Sequence, residues 1–268
     1  RRSRQRSTTT TRRPRCRPSI LLRRSRWSSC RVRCHCLVNC SGSNNGGALA
    51  VLPAIEADFL TSAHNVVDGN TFTGNWGRYG MAMIVASNLF TITNNVFAGN
   101  QATGPDASAL SVSVYLPPEE LRPALIANNT LYGNLGGAAM GFDGWDESLP
   151  PVINNVVVSH TVGITTEAEL TVVQLDYNLF NNNGVNVAGP GIITNSHSIT
   201  GAVHFVDAAG GIFNLMPNSL AIDAADPAGV PPAPDHDIDW AERPYGNRVD
   251  VGAYEWHGQG AILPFVCK

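Results

Sequence analysis

Two apolar columns recur along the chain on either side of a polar one. Val67, Ile92, Ile126, Val152 and Leu175 each stand three residues before an Asn, and Phe72, Phe97, Leu131, Val157 and Phe180 each stand two residues after it. The Asn residues themselves are Asn70, Asn95, Asn129, Asn155 and Asn178. The run Asn-Thr-Phe-Thr-Gly-Asn at 70–75 returns as Asn-Val-Phe-Ala-Gly-Asn at 95–100 and Asn-Thr-Leu-Tyr-Gly-Asn at 129–134, then more loosely at 155–160 and 178–183. With an earlier copy placed at 39–44, the steps are 31, 25, 34, 26 and 23 residues. Self-similarity at such a period marks a repeat architecture.

β-Branched and aromatic residues flanking each Asn, with Gly74, Gly99 and Gly133 following, predict two short strands joined by a bend and closed by a turn. A third strand-like stretch comes next, at Ala48–Val51, Met81–Val85, Leu110–Val114 and Ala138–Met140. Each repeat therefore reads as one coil of three strands, stacked on its neighbours at about 4.8 Å. Asn tolerates the left-handed backbone of a sharp bend. Stacked bends let each carboxamide donate to one coil and accept from the next, so the five Asn are expected to form a buried ladder. Exposed turn residues are the alternative, and the apolar flanks speak against it. The expected fold is all-β, a single-stranded solenoid of about seven or eight coils with the Phe72 to Phe180 column inside.

Repeats with Asn at the bend, a following aromatic and a Gly-Asn turn resemble the right-handed parallel β-helix repeats of the pectin-lyase-like superfamily, over about residues 36–216. The resemblance implies the fold and leaves activity open, because that superfamily holds lyases, hydrolases, adhesins and inert stalks. Downstream, Asn218-Ser219-Leu220-Ala221-Ile222-Asp223-Ala224, Asp235-His236-Asp237-Ile238-Asp239, Arg243-Pro244 and Val249-Asp250-Val251-Gly252-Ala253-Tyr254-Glu255 occur in order. This series resembles the closing motif of bacterial extracellular β-helix proteins of the choice-of-anchor type, with Leu220, Ala225 and Trp240-Ala241 departing from it. The resemblance implies a secreted or surface-displayed bacterial protein.

Residues 217–256 are expected to close the open end of the solenoid, leaving 257–268 as a tail. Arg243 offers a planar fork for Asp223, Asp250 or Glu255. Asp235, Asp237 and Asp239 alternate, so an extended backbone would put three carboxylates on one side; a calcium site is the alternative there to a plain acidic loop.

Charge is placed very unevenly along the 268 residues. Residues 1–55 carry 13 Arg and no acid, while 56–268 carry 5 basic and 21 acidic residues, +13 against −16 within a net charge of −3. Residues 1–35 are Arg- and Ser-rich with little to form a core and are expected to be disordered. Such sequence is what a GC-rich gene gives when read out of frame, and the repeat columns begin abruptly at Cys36. In that case a genuine upstream segment with a signal peptide has been lost. A basic arm for nucleic acid is the competing reading and falls if the tail is a frame error. Cys30, Cys34, His35, Cys36 and Cys40 could ligate a metal, although paired C-x2-C spacing is absent. Beyond residue 40 only Cys267 remains, which supports neither a disulfide framework nor a redox motif in the body of the chain. No apolar run is long enough to span a membrane.

The longer steps mark loops at Leu116–Pro123 and Gly141–Glu147. Trp145 among Asp143, Asp146 and Glu147 is a candidate carbohydrate contact, set against a Trp that merely covers the side of the solenoid. The polygalacturonase-like strings Asn-Thr-Asp, Asp-Asp, Gly-His-Gly and Arg-Ile-Lys are absent, and 36–216 holds only Arg78 and Arg122 as bases. His160 and His204 read as structural. The expected function is a non-catalytic structural, adhesion or carbohydrate-binding module, monomeric, with a polysaccharide or cell-surface component as partner and no cofactor unless calcium. A polysaccharide lyase or glycoside hydrolase is the alternative.

Overall fold

The computed structural model describes residues 20–22, 29–33, 36–40, 47–51, 64–86, 89–104, 106–114, 124–144, 149–226 and 234–258. Every named element among them is a strand, and no helix there is long and apolar enough to cross a membrane. Three parallel sheets of seven strands each make up the body. The first sheet takes Ile20–Leu22, Leu49–Val51, Gly80–Ala86, Ser108–Val114, Ala138–Gly144, Val162–Thr166 and Val185–Ala188. The second takes Ser29–Arg33, His64–Asp68, Phe90–Thr93, Leu125–Ala127, Val152–Ile153, Val172–Asp176 and Ile192–Ser196. The third takes Cys36–Val38, Thr71–Thr73, Val96–Ala98, Thr130–Tyr132, Val156–Val158, Leu179–Asn181 and Ile199–Thr200. The chain visits the three in rotation, so the molecule is a solenoid-like stack.

The two apolar columns are the interior. Phe72, Phe97, Leu131, Val157 and Phe180 pair in register along the third sheet and are fully buried. Val67, Ile92, Ile126, Val152 and Leu175 do the same along the second. Phe72 and Phe97 stack with centroids 4.7 Å apart and planes 3° from parallel. Each such side chain contributes on the order of 1.5 to 3 kcal/mol by leaving water.

Register corrects several expectations. Cys36–Val38 pairs with Thr71–Thr73, so Asn39 aligns with Gly74 and the earliest copy lies four residues upstream of the expected 39–44 frame. Ile20–Leu22 and Ser29–Arg33, inside the stretch expected to be disordered, are strands paired in parallel with Leu49–Val51 and His64–Asp68. A short apolar triplet and an alternating pentapeptide suffice to extend a waiting edge, because pairing there uses only backbone groups. Gly141 to Gly144 belong to a strand rather than a loop, and Phe142 is buried in the core. Cys40 is disulfide-bonded, which removes its thiolate from any metal set.

The left-handed residue at each bend is not the ladder Asn but the residue before it. Gly69, Asn94, Asn128, Asn154 and Tyr177 have φ between 48° and 67° at the entry to the third sheet. At its exit the same conformation falls on Asn39, Gly74, Gly99, Gly133, Ser159 and Asn182, with φ between 53° and 63°. The bend residue turns the chain, and the next residue points its side chain into the stack.

Two strands of the third sheet are apolar on both faces. Val96-Phe97-Ala98 and Val156-Val157-Val158 do not alternate, so their outward side chains need a cover. The C-terminal segment supplies it. Val96, Ala98, Val156, Val158 and Leu179 pack against Phe213, Leu215, Ala221, Ala225, Val251, Ala253 and Tyr254. The segment expected to close the end of the solenoid thus runs along its side as a strap.

Candidate functional site

Both ends of the third-sheet strands are fastened by side-chain ladders. At the entry, the Asn70 backbone N–H and Nδ2 both donate to Asn95 Oδ1 at 3.0 Å, and Asn95 does the same to Asn129 at 3.0 Å. Asn129 continues to Asn155 at 2.9 Å, and Asn155 to Asn178 at 3.0 Å. The second amide hydrogen reaches the preceding coil, from Asn95 to Val67 O, Asn129 to Ile92 O, Asn155 to Ile126 O and Asn178 to Val152 O. All five carboxamides are buried, and in Asn95, Asn129 and Asn155 both amide hydrogens and the oxygen are engaged.

A second ladder lies at the exit. Asn75 donates to Asn100 and Asn100 to Asn134 in the same doubled way, at 2.8 to 3.0 Å. The Cys40 N–H caps this ladder by donating to Asn75 Oδ1. Asn134 Nδ2 then meets His160 Nε2 at 2.9 Å, and the His160 backbone N–H donates to Asn183 Oδ1. An amide donor requires Nε2 to accept, so the imidazole is neutral there. Burial lowers it to about 4.

The strap docks on the bend residues. Asn94 Nδ2 donates to His236 O, Asn128 Nδ2 donates to Asp250 O, and Asn154 Oδ1 accepts the Asp226 N–H. Gly252, with φ +100°, comes so close that a Cβ would stand 2.8 Å from Val156 Cγ2 and 2.9 Å from Thr130 Oγ1. His236 Nε2 stands 3.4 Å from the buried Asp68 carboxylate and stacks under Trp240 at 4.2 Å.

Arg243 is buried and its fork donates to two backbone carbonyls, Asp250 O at 3.0 Å and Gly252 O at 2.8 Å, with Glu255 Oε2 at 3.5 Å. A bidentate carboxylate partner was expected, but the carboxylates serve backbone donors instead. Asp250 accepts the Asp223 and Trp256 N–H groups, Glu255 accepts those of Tyr245 and Asp250, and Asp223 accepts that of Arg248. Burial, then Glu255, pushes the Asp250 carboxyl up to about 7.

Asp235, Asp237 and Asp239 are not brought together. A turn between them sends Asp237 inward, where it accepts N–H groups from Asp239, Ala241 and Glu255. Asp235 contacts His236 Nδ1, and Asp239 faces Asn214. Among the described residues no three His, Cys, Asp or Glu side chains are grouped to hold a metal ion.

Of the candidate carbohydrate contacts, Asp143 lies on the first sheet, and Trp145, Asp146 and Glu147 lie outside the described residues. Sequence reasoning passed over a different surface. The residue following each exit-ladder position is Trp76, Gln101 or Leu135, and these three align on adjacent coils. Their backbone N–H groups donate to Cys40 O, Asn75 O and Asn100 O. Trp76 is 55% and Leu135 60% exposed, with Gln101 exposed between them. Beside this ledge Arg78 lies 5.5 Å from the Tyr79 ring centroid. The signal was available as an apolar residue after the ladder Asn, where a surface turn ordinarily carries a polar one.

Glu167 reaches over Gly141, whose missing side chain leaves room for it, and Ser108 Oγ lines the same gap. Burial raises the Glu167 carboxyl, and the nearby charges of Asp143 and Asp106 raise it further. No family model, curated protein or solved structure matches the chain.

Proposed function

We propose that this protein is an extracellular or surface-displayed parallel β-helix of the right-handed, pectin-lyase-like kind that binds a polysaccharide without cleaving it. Right-handedness is the expected hand because parallel strands joined by crossovers take it almost without exception. The observation that carries binding is the Trp76–Gln101–Leu135 ledge. An exposed indole with an apolar neighbour two coils away and an amide between them offers a flat face and a hydrogen-bonding edge, the combination a sugar ring uses. A rigid stack holds the three at fixed spacing, so little ordering is required on binding.

Calorimetric titration with pectin, alginate, chondroitin and cellulose oligosaccharides tests this. Trp76→Ala is expected to weaken the bound member of that panel about tenfold, equivalent to ~1.4 kcal/mol. Binding that survives both Trp76→Ala and Leu135→Ala would place the contact elsewhere.

One observation favours the catalytic alternative. Glu167, with its proton affinity raised by burial and then by Asp143 and Asp106, has the character of a general acid. New reducing ends or unsaturated uronate from the same panel, lost in Glu167→Gln, would establish a hydrolase or lyase in place of a binding module.

A further inference from the structure

All three sheets end on the same coil. Val185–Ala188, Ile192–Ser196 and Ile199–Thr200 are the terminal strands of the first, second and third sheets, and no described strand pairs with their outer edges. After Thr200 the chain forms an antiparallel hairpin, Phe205–Asp207 with Ile212–Leu215, and leaves along the side of the stack as the strap. The coil is apolar at its end. Val187 and Ile193 are half-buried against the core, while Val185 (50%), Ile192 (60%) and Ile199 are exposed.

Sheet edges are ordinarily defended by charge, because a bare row of N–H and C=O groups will pair with another chain. Here the defence is missing. From Gly184 to Val206 the chain holds no Lys, Arg, Asp or Glu, while residues 56–268 carry a net −16. The histidines of this stretch are His197, stacked on Tyr177 and bonded to Asp176, and His204. Residues 1–55 carry +13 in turn, so this uncharged coil is a face at which neither sign opposes a second copy.

We propose that the coil 185–200 is a homodimer interface at which two copies meet tail to tail. The symmetry suits it. A two-fold axis across the stack sets each terminal strand antiparallel to its counterpart, and the five residues of Ile192–Ser196 are long enough to pair with themselves. Val187 and Ile193 of each copy then close the other's interior. This replaces the monomer expected from sequence, and it presents two Trp76 ledges on one particle, which raises avidity for a polymer.

Sedimentation of the full chain over a range of concentrations tests the proposal. The parent is expected to show a dimer mass, and Ile192→Lys or Val185→Lys a monomer mass with the melting transition retained, since both positions are already exposed. A parent that is monomeric throughout, or a dimer that persists in both variants, overturns it. Species that keep growing with concentration would indicate head-to-tail addition onto the first coil and overturn it equally. A monomeric parent that dimerises only when residues 259–268 are removed would show the chain's own C-terminus on this edge, which also overturns it.

Discussion

The ladder at the entry to the third sheet runs through five asparagines unbroken, whereas the one at its exit passes Asn75, Asn100 and Asn134 and then meets His160. A carboxamide oxygen has two lone pairs and accepts both the backbone N–H and the amide of the coil before. An imidazole nitrogen has one, and only when neutral. The entry ladder is therefore indifferent to pH across the ordinary range, while the exit ladder contains one link that a proton breaks. The difference teaches that a buried ladder selects its residue by counting donors and acceptors, with size secondary.

The largest expected effect comes from breaking the better ladder. In Asn129→Leu, the Asn95 N–H and amide lose their acceptor, and Asn155 Oδ1, Ile92 O and Ala127 O lose a donor, all of them buried. At 1 to 3 kcal/mol for each stranded group, partly relieved by relaxation, a loss of roughly 3 to 5 kcal/mol follows. Urea denaturation measures it, and an unchanged midpoint would show that the column is decoration.

His160→Asn repairs the weaker ladder, and its effect depends on pH. In the unfolded chain the imidazole takes up a proton near 6.5, in the fold only near 4. The unfolded state therefore binds more protons between those values, and the parent loses stability as pH falls from 6.5 toward 4. The variant lacks this loss, so its advantage should grow across that window to on the order of 3 kcal/mol. Asp250 shifts the opposite way, since a carboxyl raised to about 7 makes the fold bind the extra proton, but it is common to both proteins and cancels in their difference. A constant difference between pH 7 and pH 4 would contradict a buried neutral His160.

Asn128→Gly should have the smallest effect. Glycine keeps the left-handed backbone at no steric cost and removes only the bond from Nδ2 to Asp250 O, so about 1 kcal/mol is expected. Asn128→Ala adds backbone strain of roughly another 1 to 2 kcal/mol. Equal melting temperatures for the two variants would show that the position does not require its conformation.

The strap and the solenoid differ in how far they could be read beforehand. The solenoid repeats itself, so one coil's pattern of apolar and polar residues is tested by the next, and the Phe72 and Val67 columns sit where their periodicity puts them. The doublets Asn94-Asn95, Asn128-Asn129 and Asn154-Asn155 were also visible, yet their division of labour was not. The first of each pair turns the chain and clasps the strap, and the second enters the ladder. Spacing cannot separate two adjacent asparagines, because which one takes the left-handed φ is fixed by the packing of neighbouring coils.

The sequence by itself determined the repeat, its three strands to a coil, and the residues inside, because a half-buried strand must alternate and a stack must match its neighbours in register. Only the tertiary structure decided where the C-terminal segment lies and which side chains share a surface. Nothing in the segment from Asp223 to Glu255 states whether it crosses the end of the stack or follows its flank. The unalternating Val156-Val157-Val158 called for a cover without saying which part of the chain would provide it. Trp76, Gln101 and Leu135 lie 25 and 34 residues apart in sequence and meet only when the coils stack. Contacts of that range depend on loop lengths and relative packing energies summed over the whole fold, which no local pattern encodes.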